Sequence, residues 1–147
     1  MATFVLVHGA WHGAWVWDKL RDELAARGHD SIAMDLPVSD GSATFGDYAD
    51  IIQESMKDLA EPPILVGHSL AGMAVPMVAS RTPVQTLVFL CAVVPSLTGD
   101  HWAGTPEPAA PGTFAGFEER EDGSTVWVDM DNAIYSFYQE WDREEAA

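Results

Sequence analysis

Gly67-His68-Ser69-Leu70-Ala71 differs from the pattern G-x-S-x-G only at its last position. That pattern holds a serine at the tip of a sharp strand-to-helix turn, strained and with its hydroxyl exposed, where it can attack a carbonyl. The residues two before and two after the serine must be small because backbones approach closely there. Gly67 and Ala71 meet that demand, and Gly72 follows. In "PPILVGHSLAGMAVPMV" the pentapeptide has an apolar strand-like run before it and a helix-like stretch after it. This context makes the signal specific. N–H groups and the positive dipole end of a helix beyond Ser69 would face a developing oxyanion. The second oxyanion donor is expected from "HGAWHGAW", the loop after the first strand. Gly9 and Ala10 there bring a backbone N–H close without an obstructing side chain, which pairs Ala10 N–H with Leu70 N–H.

The elements that must position these groups alternate. "TFVLVHG", "DSIAMDLP", "ILVGHS" and "VQTLVFLCAVVP" read as strands, apolar at nearly every position, as expected where helices cover both faces of a parallel sheet. Between them, Val16, Leu20 and Leu24 fall at helical spacing with Gly28 as C-cap, and a second helix is expected from Phe45 to about Ala60. The helix after Ser69 contains Pro76, which predicts a kink or a lost hydrogen bond. After Pro95 the texture changes. A Gly/Pro-rich loop is followed by a hairpin turning at Asp122-Gly123, then by a short helix capped by Asp131 or Asn132. "WDREEAA" sets Glu145 three residues after Asp142, a helix-start pattern, so the sequence is expected to stop inside an element. The fold class is therefore α/β, a parallel sheet with helices on both faces, with residues 1–95 as core and 96–147 as part of a cap.

Composition narrows the function. The 147 residues fit one domain, and 48% hydrophobic residues with six Trp suffice for a core. The net charge is -16. Residues 1–95 carry 5 Lys/Arg against 11 Asp/Glu, and residues 96–147 carry 2 against 12. Such a surface repels phosphate backbones and anionic lipid, so neither nucleic acid nor membrane is an expected partner. The single cysteine, Cys91, excludes a disulfide framework and reads as a core filler. No signal-like or membrane-length apolar run occurs, which points to a soluble cytoplasmic protein.

"VLVHGAWHGAWVW" followed by "GHSLAGM" resembles the α/β-hydrolase superfamily, and within it the branch of plant hydroxynitrile lyases, plant methylesterases and bacterial carboxylesterases. The likeness covers residues 3–95, and "MDNAIYSFYQEWDREEAA" resembles the branch's cap more loosely. It implies Ser69 as nucleophile, Ala10 and Leu70 as oxyanion donors, and an ester-sized pocket under a cap. Gly9, Trp11, Trp102 and Trp127 are the candidate pocket residues. The lyases carry Thr or Asn where this chain has Gly9, which tilts the expectation to a serine carboxylesterase acting on small esters. In the family, further strands and a late loop carry the catalytic acid and histidine, and both regions are missing from these residues.

The triad order of the fold is Ser, acid, His, and only His101 follows Ser69. Beside Asp100 in a loop it reads as a surface histidine, because adjacent residues rarely orient each other as acid and base. His68 is expected to point away from the reactive face, His8 and His12 to brace the oxyanion loop, and His29 to lie at the surface. The pair His8/His12 lacks a third ligand, and "DMDN" lacks the spacing of a calcium loop, so neither metal nor cofactor is expected. Trp15 and Trp17 are expected to pack the first helix. Two other functions stay open: a truncated, non-catalytic binding or partner-dependent module, and a hydroxynitrile lyase. Besides a small-molecule ester, the partners to consider are a second fragment or chain that completes the fold, and a second copy in a homodimer.

Overall fold

The β-branched and leucine-rich runs form four strands in the computed structural model, which describes residues 1–96 and 115–138. They are β1 (Thr3–Val7), β2 (Asp30–Ala33), β3 (Ile64–His68) and β4 (Thr86–Leu90). All pair in parallel in the order β2-β1-β3-β4. Alternation along the strands sends neighbours to opposite faces. Val5, Val7 and Leu65 join Ile52 and Met56 of α2 (Phe45–Met56) and Val75 and Val78 of α3 (Val75–Arg81). Leu6 and Val66 join Trp17 on the other face, with Leu24 of α1 (Asp18–Ala26) packed against them. Helices therefore cover both faces, as the apolar strands require.

Local chemistry sets the helix ends. Gly28, at φ 76, follows the Arg27 C-cap of α1 in the left-handed conformation that ends a helix cheaply. Thr44 and Asp47 form a reciprocal capping box at the start of α2. This helix stops at Met56, short of the expected Ala60, with the Lys57 N–H turning back onto Glu54 O. The expected kink at Pro76 does not occur. Ser69–Met73 is a 3-10 segment and α3 begins only at Val75, so Pro76 stands in the first turn, where its missing N–H breaks no helical bond.

Three other expectations are corrected. Cys91 is exposed rather than a core filler; it follows the end of β4, where Phe89 and Leu90 are exposed as well. Trp15 is 58% exposed, whereas Trp17 is buried. Both lie on one 3-10 segment, Ala14–Trp17, and only one side of it meets the sheet. Leu20 of α1 is also exposed.

Of the described residues, 1–38 and 43–96 form one compact unit, and 39–42 with 115–138 form a second. In the second, β5 (Phe117–Glu119) and β6 (Thr125–Trp127) make an antiparallel hairpin. Its turn holds Gly123 at φ 80, as the Asp122-Gly123 pair leads one to expect. Gly41 lies flat against this turn, where a Cβ would stand 2.2 Å from Asp122 O. The cap of α4 (Met130–Phe137) is Asp129, not Asp131 or Asn132. Its Oδ1 accepts the Asn132 N–H at 3.2 Å.

Candidate active site

The connection after β1 leads to α1 on one face, and that after β3 leads to α3 on the other. The C-terminal ends of β1 and β3 therefore flank the point where strand order reverses, which is where open α/β sheets form their crevice. The two loops singled out from the sequence leave these two strand ends.

Ser69 follows His68, the last residue of β3, and adopts φ 53. A non-glycine residue there is strained, and such strain persists only where the surroundings enforce it. Three contacts do so. A Cβ on Gly67 would lie 2.8 Å from Val75 Cγ2, a Cβ on Gly72 would lie 1.9 Å from Val93 O, and Val93 N–H donates to Ser69 O at 2.9 Å. Ala71 is fully buried, so the small side chain in place of the usual glycine is accommodated.

The loop after β1 lies against this turn. A Cβ on Gly9 would stand 2.7 Å from Ser69 Cβ and 3.2 Å from its Oγ. No side chain fits at position 9 unless Ser69 or the loop moves. Gly9 is buried and Ala10 and Trp11 are half-buried. Trp11, at φ 61, takes the left-handed conformation as well. Leu70 is half-buried directly after Ser69.

Four histidines lie among the described residues, and none hydrogen-bonds Ser69 Oγ. His8, 1% exposed, lies between Gly9 O, 2.8 Å from Nδ1, and the Leu36 N–H, which donates to Nε2 at 2.9 Å. His12 Nδ1 lies 2.8 Å from Ala10 O. His68 stacks edge-on to Trp17, with ring centroids 6.1 Å apart. His29 Nδ1 accepts the Ala2 N–H. Burial holds the His8 pKa below its ordinary value, opposed by the Gly9 carbonyl and Asp35 and reinforced by His12. Burial lowers His68 too, with His12 and His8 adding to it. Asp35 accepts the Ala14 N–H at 2.7 Å and so ties the end of the loop to the chain beyond β2.

Of the other candidate residues, Trp127 lies in the second unit between Phe117 and Phe137. Trp102, His101 and Asp100 fall outside the described residues, as do Asp142 and Glu145. Among the described residues no His, Cys, Asp and Glu side chains cluster to hold a metal ion, and no helix is long and apolar enough to cross a membrane. The sequence led us to expect bracing by His8 and His12. It gave no sign of Leu36 or Asp35 as partners, since hydrogen bonds between distant backbone and side-chain groups leave no periodic signal.

The Alpha/beta hydrolase family model matches residues 4–147, and the chain belongs to that family. It is 42% identical over 103 residues to Salicylic acid-binding protein 2 of Nicotiana tabacum, covering 63% of this chain and 40% of that protein. An Alpha-hydroxynitrile lyase of Arabidopsis thaliana is 38% identical over 106 residues, covering 65% and 41%. The crystal structure of polyneuridine aldehyde esterase superposes with TM-score 0.79 at 25% identity, covering 99% of this chain and 65% of that one. The chain thus spans about two fifths of the length of the curated relatives it matches.

Proposed function

We propose that this chain carries the nucleophile and oxyanion elements of a serine carboxylesterase acting on small esters. The observation that carries the reading is the positive φ of Ser69 with Gly9 seated on its Cβ and Oγ. A strained serine and a side-chain-free loop are thereby brought together at the strand-order switch point. Several relatives are esterases by name, among them Polyneuridine aldehyde esterase of Rauvolfia serpentina and Methylesterase 7 of Arabidopsis thaliana.

In this mechanism Ser69 Oγ bonds to the ester carbonyl carbon, and Ala10 and Leu70 N–H groups hold the oxyanion. A histidine outside the described residues takes the serine proton and returns it to the leaving alcohol. Water then repeats the attack on the acyl-serine and releases the acid. Residues 1–95 form the catalytic core, with Gly9 and Trp11 of the loop after β1 as pocket residues. A segment or second chain outside these residues supplies acid and base.

A fluorescent organophosphonate tests the reading, because it bonds covalently to activated serines. In the protein together with its completing segment, Ser69 should be the labelled residue, and Ser69→Ala should be blank. Hydrolysis of a short-chain aryl ester by the protein together with its completing segment should disappear in the same variant. Equal labelling of Ser69→Ala and parent would sink the proposal.

Two observations keep other readings in view. No described histidine reaches Ser69 Oγ, which suits a non-catalytic binding module; that module predicts no labelling and ligand retention in Ser69→Ala. A relative is a hydroxynitrile lyase, although Gly9 offers no polar group to a cyanohydrin. Mandelonitrile cleavage would favour the lyase.

A further inference from the structure

We propose that His8 is a positioning residue that sets the direction of the oxyanion N–H of Ala10; this deepens the esterase reading and rests on it. The partners of the ring fix its tautomer. The Leu36 N–H is a donor only, so Nε2 of His8, 2.9 Å away, accepts and carries no hydrogen. The proton of the neutral ring therefore sits on Nδ1 and is donated to Gly9 O at 2.8 Å. Both ring nitrogens are satisfied in a side chain 1% exposed. The imidazole has no freedom to turn without leaving one buried group unpaired.

Gly9 C=O and Ala10 N–H are opposite ends of a single peptide plane, and in a trans peptide they point in opposite directions. No cis peptide occurs in the described chain. Fixing the carbonyl on His8 therefore fixes the N–H on the far side of the same plane. A hydrogen bond to the carbonyl also polarises the peptide and strengthens its N–H as a donor. The plane cannot slide, because Gly9 lies against Ser69 and the next carbonyl, Ala10 O, is 2.8 Å from His12 Nδ1. Leu36, the far anchor, is itself buried in the sheet core.

The clamp works with neutral His8. A proton on Nε2 would face the Leu36 N–H, donor against donor, and release the ring. Burial chiefly opposes this proton and His12 adds to that, while the Gly9 carbonyl and Asp35 favour it; His68, the other titratable neighbour, is itself lowered by His8.

Two variants separate the ends of the clamp. Asn in place of His8 keeps a donor where Nδ1 stands, and Gln keeps an acceptor where Nε2 stands. Nitrogen-15 NMR of the full chain should find His8 protonated on Nδ1. The Ala10 amide resonance should stay near the parent position in His8→Asn and move in His8→Gln. Phosphonate labelling of Ser69 should fall about 100-fold in His8→Gln, the order expected for one lost oxyanion donor, and less than about fivefold in His8→Asn. Labelling of the parent should also decline as pH falls through the His8 titration, a limb absent from His8→Asn.

A proton on Nε2, or equal losses of labelling in the two variants, overturns the clamp and leaves His8 a packing residue. If the parent with its completing segment is not labelled but the tautomer and Ala10 shifts follow the expected pattern, the clamp stands and the esterase reading falls.

Discussion

Strands β3 and β4 have nearly the same apolar character and very different surroundings. In β3, Leu65 is fully buried and Val66 nearly so, with β1 on one side and β4 on the other. In β4, Phe89 and Leu90 are 36% and 41% exposed, and one edge of the strand pairs with nothing among the described residues. The apolar run continues past the strand into Cys91 and Val94, both exposed. An exposed apolar edge is a template for association. The comparison teaches that an apolar strand announces a buried place without saying whether the described chain provides it. Gly9 and Ser69 meet at the inner pair, β1 and β3, where packing is complete enough to hold Ser69 at an unfavourable φ.

The largest expected effect is at the inner pair's mouth. Ser69→Ala should reduce phosphonate labelling by at least about a thousandfold while leaving the unfolding free energy from urea titration within about 0.5 kcal/mol of the parent, since it removes one half-buried oxygen. Gly72→Ala comes next. A Cβ 1.9 Å from Val93 O cannot be accommodated without displacing the segment that bonds Ser69 O. We expect about 3 kcal/mol of lost stability together with lost labelling, measured by urea unfolding.

A matched pair of leucines follows. Leu65→Ala should cost about 3 kcal/mol, as for a fully buried side chain. Leu90→Ala should cost less than about 1 kcal/mol, because much of its surface is already in water. Equal costs would mean that something covers β4 in solution, and light scattering of the parent would then reveal an assembly that Leu90→Lys dissolves.

The smallest effect is a pH dependence. Burial holds His8 and His68 below the ordinary value of 6.5, so in the folded chain these two rings stay neutral where in the unfolded chain they have taken up protons. Their contribution to stability is complete above about pH 6.5 and is lost as pH falls from there through the folded values. Unfolding midpoints at pH 7.5 and 5.5 should differ in that direction, and less so in His8→Asn.

Local sequence determined the elements and the turn that carries Ser69. The β-branched runs, Gly28 and Asp122-Gly123 act through neighbours in the chain, so their consequences are legible without a fold. The same holds for Ser69, because the demand for small residues at Gly67 and Ala71 is met within five consecutive positions. Tertiary structure decided the rest. Trp15 and Trp17 are two residues apart, yet one is in water and the other in the core, because only the docking of their segment on β1 and β3 separates them. Pro76 begins a helix rather than bending one, since the packing of Gly72 on Val93 holds the preceding turn as a 3-10 segment. His8 gains its role from Leu36, 28 positions away. Contacts between residues so far apart depend on the sheet that brings β1 and β2 side by side, and no spacing in the sequence encodes them.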